Sequence, residues 1–151
     1  MKAAVFHGPD RPLTVGDWPT PTPAAGEVLV KVAGCGVCHT DLHYLDHGTP
    51  TFKKPPMVLG HEISGTVEEL GTGVSSLAEG DRVLIAAVTC CGRCDACQEG
   101  RGNVCAHGAM LGNDIDGGFA EYVSAPARDV FRLPEEIPLA DGSIIADAIT
   151  T

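Results

Sequence analysis

Ten residues, GCGVCHTDLH at positions 34–43, gather two cysteines, two histidines, a carboxylate and a hydroxyl. Such a stretch can do three things. Cys38 can be one ligand of a transition metal, Cys35 and Cys38 can form a redox pair in Cys-x-x-Cys spacing, or the whole can be a turn that happens to carry reactive side chains. The redox reading expects a βαβ context, which the surrounding residues do not supply. A catalytic zinc needs about three protein ligands and an open position, and one cysteine does not make a site. The next donors along the chain are His61 and Glu62, in VLGHEISG. Taken by themselves they read as a surface pair more readily than as ligands.

A second cluster is more specific. TCCGRCDACQEGRGNVC holds Cys91, Cys94, Cys97 and Cys105 in the spacing C-x2-C-x2-C-x7-C. Four thiolates on a glycine-bearing loop suit the tetrahedral preference of zinc, and Gly92, Gly100 and Gly102 can supply the positive φ values that wrapping an ion requires. The ferredoxin spacings differ from this one, and a regular array argues against four unrelated free thiols or a disulfide pair. A closed shell of four thiolates leaves no open position, so the metal expected here is structural. Cys90 falls outside the array.

The elements that must position these groups are short. MKAAVFH reads as an opening strand, and the proline-rich run to Gly26 as extended or turned chain. EVLVKVAGCG alternates Val28, Val30 and Val32 against Leu29 and Lys31, a half-buried strand. Residues 36–48 suit a short helix with His39, Leu42 and His43 on one face. HEISGTVEELG, DRVLIAAV and FAEYVSAPARDVFRLP read as further strands between glycine-bearing turns. The expected fold is mainly β, a closed or partly closed barrel with little helix. Near the end, Ile144, Ile145, Ala148 and Ile149 fall at helical spacing after a start at Asp141. A chain that stops one or two turns into an apolar helix is expected to be part of a longer one.

Composition narrows the function classes. Of 151 residues, 44% are hydrophobic and 20% charged, ordinary for a globular protein. Nineteen glycines and eleven prolines punctuate the chain too often for long helices. A formal net charge of −10 argues against nucleic acid or an anionic membrane surface as partner. No apolar run approaches the ~20 residues of a membrane span, and no signal peptide opens the chain. A cytoplasmic location is therefore expected, with the seven cysteines acting as ligands or free thiols.

In combination the motifs are distinctive. GVCHTDLH, GHEISGTVEELG, the four-cysteine loop and DGGFAEYV occur in the order found in zinc-dependent medium-chain alcohol dehydrogenases, and the resemblance runs the length of the chain. It is similar above all to bacterial members acting on primary or secondary alcohols. The resemblance implies a GroES-like, partly closed β-barrel spanning 1–151 as the first, catalytic domain of a two-domain dehydrogenase, with a structural zinc loop at 90–106. It implies two zinc ions, NAD(H) or NADP(H), a small alcohol, aldehyde or ketone as substrate, and a homodimer or homotetramer.

Residue by residue, it implies that Cys38 and His61 are ligands of a catalytic zinc. Many relatives supply a third ligand as cysteine, where this chain has Asp147, a residue whose charge and donor atoms zinc accepts. Asp41 resembles an acid that orients the zinc-bound histidine, and Glu62 one that approaches the metal during ligand exchange. Thr40 resembles the hydroxyl that bonds the substrate oxygen, and His43 the next proton carrier. His39 matches a contact to the coenzyme phosphates, and Thr151 one beside the nicotinamide. Tyr44, Leu45, Phe52 and Met57 are local candidates for the substrate pocket wall. No G-x-G-x-x-G is present, since GCGVCH, GTGVSS and GRGNVC each lack the third glycine. The coenzyme domain is thus expected to lie outside these residues, and this piece alone to lack normal turnover. A zinc-binding module without catalysis is the rival reading.

Overall fold

The computed structural model describes residues 1–149. β1 (Lys2–Phe6) buries Ala3, Val5 and Phe6 and pairs antiparallel with β2 (Thr14–Asp17). β2 lies inside the proline-rich run, where the sequence suggested only extended chain; Thr14–Asp17 is its one proline-free stretch long enough to pair. The next strand, β3 (Glu27–Gly36), buries Val28 and Val30 as expected, but Leu29 on its opposite face is buried as well. It leads directly into α1 (His39–Asp46), which falls within the expected 36–48.

β4 (Met57–Val58) completes a three-stranded sheet of order β2-β1-β4. β5 (Glu62–Leu70) and β6 (Arg82–Ile85) join β3 in a larger sheet. A separate lobe is made by β7 (Val88–Thr89), α2 (Asp95–Gln98), a 3-10 turn at Gly102–Val104 and β8 (Ala109–Met110). The segment read as one strand, FAEYVSAPARDVFRLP, is two: β9 (Tyr122–Pro126) and β10 (Val130–Arg132), split by a 3-10 turn at Ala127–Asp129. Pro126 cannot donate to a ladder, so the chain turns there and crosses to the opposite edge of the sheet.

The five-stranded sheet has the order β10-β6-β5-β3-β9, and every pairing in it is antiparallel. It curls into a half barrel around Val28, Val30, Ile63, Val67, Val83, Ile85, Leu111 and Val123. A second cluster, Phe6, Tyr44, Met57 and Leu59, holds α1 against the small sheet. Among the described residues no helix is long and apolar enough to cross a membrane.

The C-terminal segment departs from its expected α-helix. Asp141–Ala146 forms a 3-10 helix that buries Gly142 and Ser143, while Ile144 and Ile149 stay 45% and 63% exposed. Ile144, Ala148 and Ile149 stay exposed and Ile145 is half-buried, so these positions gain little of the packing on which a short helix depends. The tighter winding instead seats Gly142 against Leu133, where a Cβ would lie 2.5 Å from the leucine side chain.

One surface pair ties the last strand to the turn before β6. Asp81 Oδ2 accepts the Ala78 N–H at 2.8 Å and Arg132 Nε at 3.0 Å. The Ala78 N–H first, then Arg132, hold the Asp81 carboxyl below its ordinary value. Such a group adds stability that is present above its unfolded pKa of about 3.9 and is lost as pH falls through the lower folded value. Asp81→Asn is therefore expected to lower the urea midpoint at pH 7, and its difference from the parent to shrink below about pH 4.

Candidate metal centres

Strand register, not sequence proximity, builds the first centre. In the β3·β5 ladder Gly36 stands opposite Glu62 and Cys35 opposite Ile63. Cys38 follows the end of β3 by two residues and His61 precedes β5 by one, so antiparallel pairing delivers both to the same rim of the barrel. Gly36 lets the strands close at this point, since a Cβ there would lie 2.0 Å from Glu62 Oε2. Gly60, with φ of +94°, turns the chain so that His61 faces inward.

Asp147 reaches the rim on the 3-10 helix, which lies across β3 and β5. Ser64 Oγ donates to Leu139 O at 2.5 Å, and a Cβ on Gly34 would meet Ala140 O at 2.4 Å. Asp147 Oδ2 then lies 3.5 Å from Cys38 Sγ and 3.3 Å from His61 Nε2. Cys38, His61, Glu62 and Asp147 each place a donor atom within 4.8 Å of the others.

Two features show that these residues fit a zinc ion. His61 is 1% exposed, yet neither ring nitrogen makes a hydrogen bond. An unpaired buried polar group costs about 1–3 kcal/mol, so a ligand for Nε2 is needed. The donor spacing also fits: tetrahedral zinc with bonds of about 2.0–2.3 Å sets its ligand atoms roughly 3.3–3.8 Å apart.

The carboxylates around this centre are unequal. Asp41 is fully buried, its Oδ2 accepting the Cys38 N–H at 3.0 Å and its Oδ1 the Gly60 N–H at 3.2 Å. Its Oδ1 lies 3.9 Å from His61 Nδ1, beyond hydrogen-bond range. Asp41 thus clamps the backbone beside both ligands and does not bond the imidazole itself. Burial raises the pKa of Asp41, against the pull of the Cys38 N–H. Burial likewise raises Glu62, which His61 lowers and Asp147 and Asp41 raise.

The helix carries the remaining candidates. Thr40 Oγ1 is 3.7 Å from Cys38 Sγ, facing the centre, while His39 and His43 are exposed on α1. Their rings are neighbours, with centroids 4.9 Å apart. Thr151 lies outside the described residues. Tyr44 and Met57 are 5% and 0% exposed in the core behind α1, so neither lines an open pocket, whereas Phe52 is 82% exposed. Cys35 packs under Gly60 and Gly118, and burial pushes its thiol far above the ordinary range, the opposite of what a redox thiolate needs.

Residues without reactive groups also matter here. Ser64 gave no sequence signal, because its partner Leu139 is 75 residues away. Gly60 did leave one, a glycine immediately before a candidate ligand. Ser64→Ala leaves a carbonyl unpaired and is expected to cost about 1–3 kcal/mol. By loosening the seat of Asp147 it should also weaken zinc binding at Cys38 and His61, read by chelator competition, without changing the four-cysteine site.

The second centre is in the lobe. Cys94 Sγ lies 3.5 Å from Cys97 Sγ and 3.7 Å from Cys105 Sγ, and Cys91 Sγ is 3.9 Å from Cys97 Sγ. Four sulfurs about 2.3 Å from a central zinc would be about 3.8 Å apart, whereas a disulfide needs about 2.05 Å. Backbone N–H groups of Arg93 and Cys94 pull the Cys91 thiol down to about 6. Burial, then the neighbouring thiols, push Cys97 up to about 12. A cation among the sulfurs would favour their thiolate forms.

Gly92 and Gly100 take φ of +70° and +77°. Gly102 does not adopt a positive φ as the sequence suggested; it starts a 3-10 turn beside Cys90 Sγ. Cys90 points away to Asp129, its N–H donating to Oδ2 at 3.0 Å and its Sγ to Oδ1 at 3.3 Å.

The structure is thus a curled antiparallel half barrel with two clusters that could each hold a metal ion, a four-thiol lobe and a separate Cys/His/carboxylate rim. The chain belongs to the alcohol dehydrogenase GroES-like domain family, whose model matches residues 24–135. It is 40% identical over 153 aligned residues to an alcohol dehydrogenase of Geobacillus stearothermophilus, covering 100% of this chain and 45% of that protein. Among solved structures, an NAD-dependent alcohol dehydrogenase superposes with a TM-score of 0.90 at 32% identity, over 97% of this chain and 43% of the other. The cobalt- and zinc-bound thermostable alcohol dehydrogenase of Pyrobaculum aerophilum gives 0.87 at 30% identity, over 97% and 44%. The chain thus spans less than half the length of these relatives.

Proposed function

We propose that this chain is the catalytic domain of a zinc-dependent alcohol dehydrogenase that oxidises a primary or secondary alcohol to an aldehyde or ketone, with hydride passing to NAD or NADP. The observation that carries the reading is the buried, hydrogen-bond-free imidazole of His61 beside Cys38 and Asp147. Zinc held by Cys38, His61 and Asp147 would supply Lewis-acid polarisation of the substrate oxygen. Cys91, Cys94, Cys97 and Cys105 would hold a second, structural zinc.

The protein's own residues do the rest. The Thr40 hydroxyl faces the centre and takes the alcohol proton as it leaves; His43, one turn further on the same helix, passes it to solvent. Asp41 fixes the backbone on both sides of the site, so that the donors need not rearrange during reaction. Glu62, kept neutral more readily by burial, stands close enough to act as a substitute donor when the site exchanges ligands. His39, exposed at the start of α1, is assigned to the coenzyme phosphates by resemblance. Thr151 is assigned to the nicotinamide side by resemblance alone.

The named strands pair only antiparallel, which supports the reading that a doubly wound coenzyme-binding domain lies outside the described residues. These residues alone should lack turnover. Seven free thiols suit a reducing, cytoplasmic compartment, and a dimer or tetramer is the assembly expected of the whole enzyme.

The test is alcohol-dependent reduction of NAD or NADP by the protein that joins this chain to its coenzyme domain, beside Cys38→Ser. Turnover that the substitution abolishes supports the reading. Turnover that survives it contradicts the ligand assignment.

A further inference from the structure

The helix that begins at the candidate centre carries a feature the proposed reaction leaves unused. His39 and His43, at positions i and i+4, share one face of α1, and His47 follows as its C-terminal cap residue, its ring beside that of His43. The ring centroids of His39 and His43 are 4.9 Å apart, and those of His43 and His47 are 5.1 Å apart. All three side chains are exposed. The opposite face is fixed: Asp41 and Tyr44 are buried, the latter against Phe6, Met57 and Leu59. At the far end, His47 N–H donates to His43 O at 3.3 Å, and Thr49 N–H to the same oxygen at 3.1 Å. These bonds tie His47 to the end of α1.

Neutral imidazole is a good ligand for zinc, nickel and copper, and two imidazoles one turn apart on a helix can close on a single ion. Aromatic stacking alone would also bring rings this close. However, such stacking favours no cation, whereas the chain's net charge of −10 raises the local concentration of cations at its surface. We propose that His39, His43 and His47 form an exposed third metal site, which takes one borderline divalent cation through the imidazoles of neighbouring histidines. His43 belongs to both possible pairs. Because His43 is also the outer proton carrier proposed above, occupancy would slow turnover; that consequence rests on the proposed function, whereas binding does not.

The experiment is calorimetric titration of the zinc-replete protein with Ni2+, with retained zinc counted afterwards. The parent protein should bind one Ni2+ beyond its zinc. His39→Gln and His47→Gln should each keep that equivalent, because one pair survives in each. His43→Gln should lose it, and so should the double variant His39→Gln/His47→Gln. Far-UV circular dichroism checks that the helix is intact, since glutamine suits a helix well. A parent that binds no Ni2+ beyond its zinc, or a double variant that binds it undiminished, would overturn the proposal.

Discussion

Replacing Cys94 by serine is expected to unfold the lobe between β7 and β8 while leaving the barrel folded. The lobe has no hydrophobic core of its own: neither α2 nor the 3-10 turn at Gly102–Val104 buries a residue. What organises it is four sulfurs within reach of one ion. In zinc-finger peptides such a site contributes roughly 10–16 kcal/mol of apparent binding free energy at pH 7, and the folding of those peptides depends on it. The barrel, by contrast, rests on its own cluster of Val28, Val30, Ile63, Val83 and Ile85, all 0% exposed. Hydrogen exchange should therefore show protection lost across residues 91–107 and kept in β3 and β5, with one zinc equivalent gone. Loss of protection throughout would mean that the lobe is coupled to the barrel more tightly than its contacts imply.

The second large effect belongs to the rim. His61→Ala is expected to remove the other zinc equivalent and to abolish turnover in the protein that carries the coenzyme domain. Lewis-acid stabilisation supplies several kcal/mol, and each 1.36 kcal/mol is tenfold in rate, so a fall of about three orders of magnitude or more follows. The fold should survive, because His61 makes no hydrogen bond whose loss would orphan a partner. Thermal unfolding by circular dichroism, measured beside zinc content and coupled reduction of the coenzyme, separates lost chemistry from lost structure. A variant that keeps its zinc and its rate would remove His61 from the ligand set.

Not every part of this was equally legible in the sequence. The four-cysteine lobe was, because all its ligands fall within fifteen residues and their spacing alone encodes a tetrahedron. The rim was harder. Cys38 and His61 meet only through a register that contains two irregularities, between Leu29 and Val30 and between Val32 and Gly34. No periodicity reports that register, and resemblance to known enzymes supplied the pairing instead. Asp41 was singled out, but its observed bonds go to the Cys38 and Gly60 N–H groups, because antiparallel closure puts those donors nearer than the ring. Met57 and Tyr44 were misread as pocket wall, since an apolar residue near a site looks the same in sequence whether it lines a cavity or fills the core. The C-terminal segment is a 3-10 helix and not an α-helix, because helical spacing alone does not supply the packing a short α-helix needs.

Diffraction from zinc-replete crystals, collected above and below the zinc absorption edge, tests the central claim most directly. Two anomalous peaks per chain are expected, one inside the Cys91–Cys94–Cys97–Cys105 cage and one bounded by Cys38, His61 and Asp147. A cage peak with no zinc between Cys38 and His61 would contradict that claim.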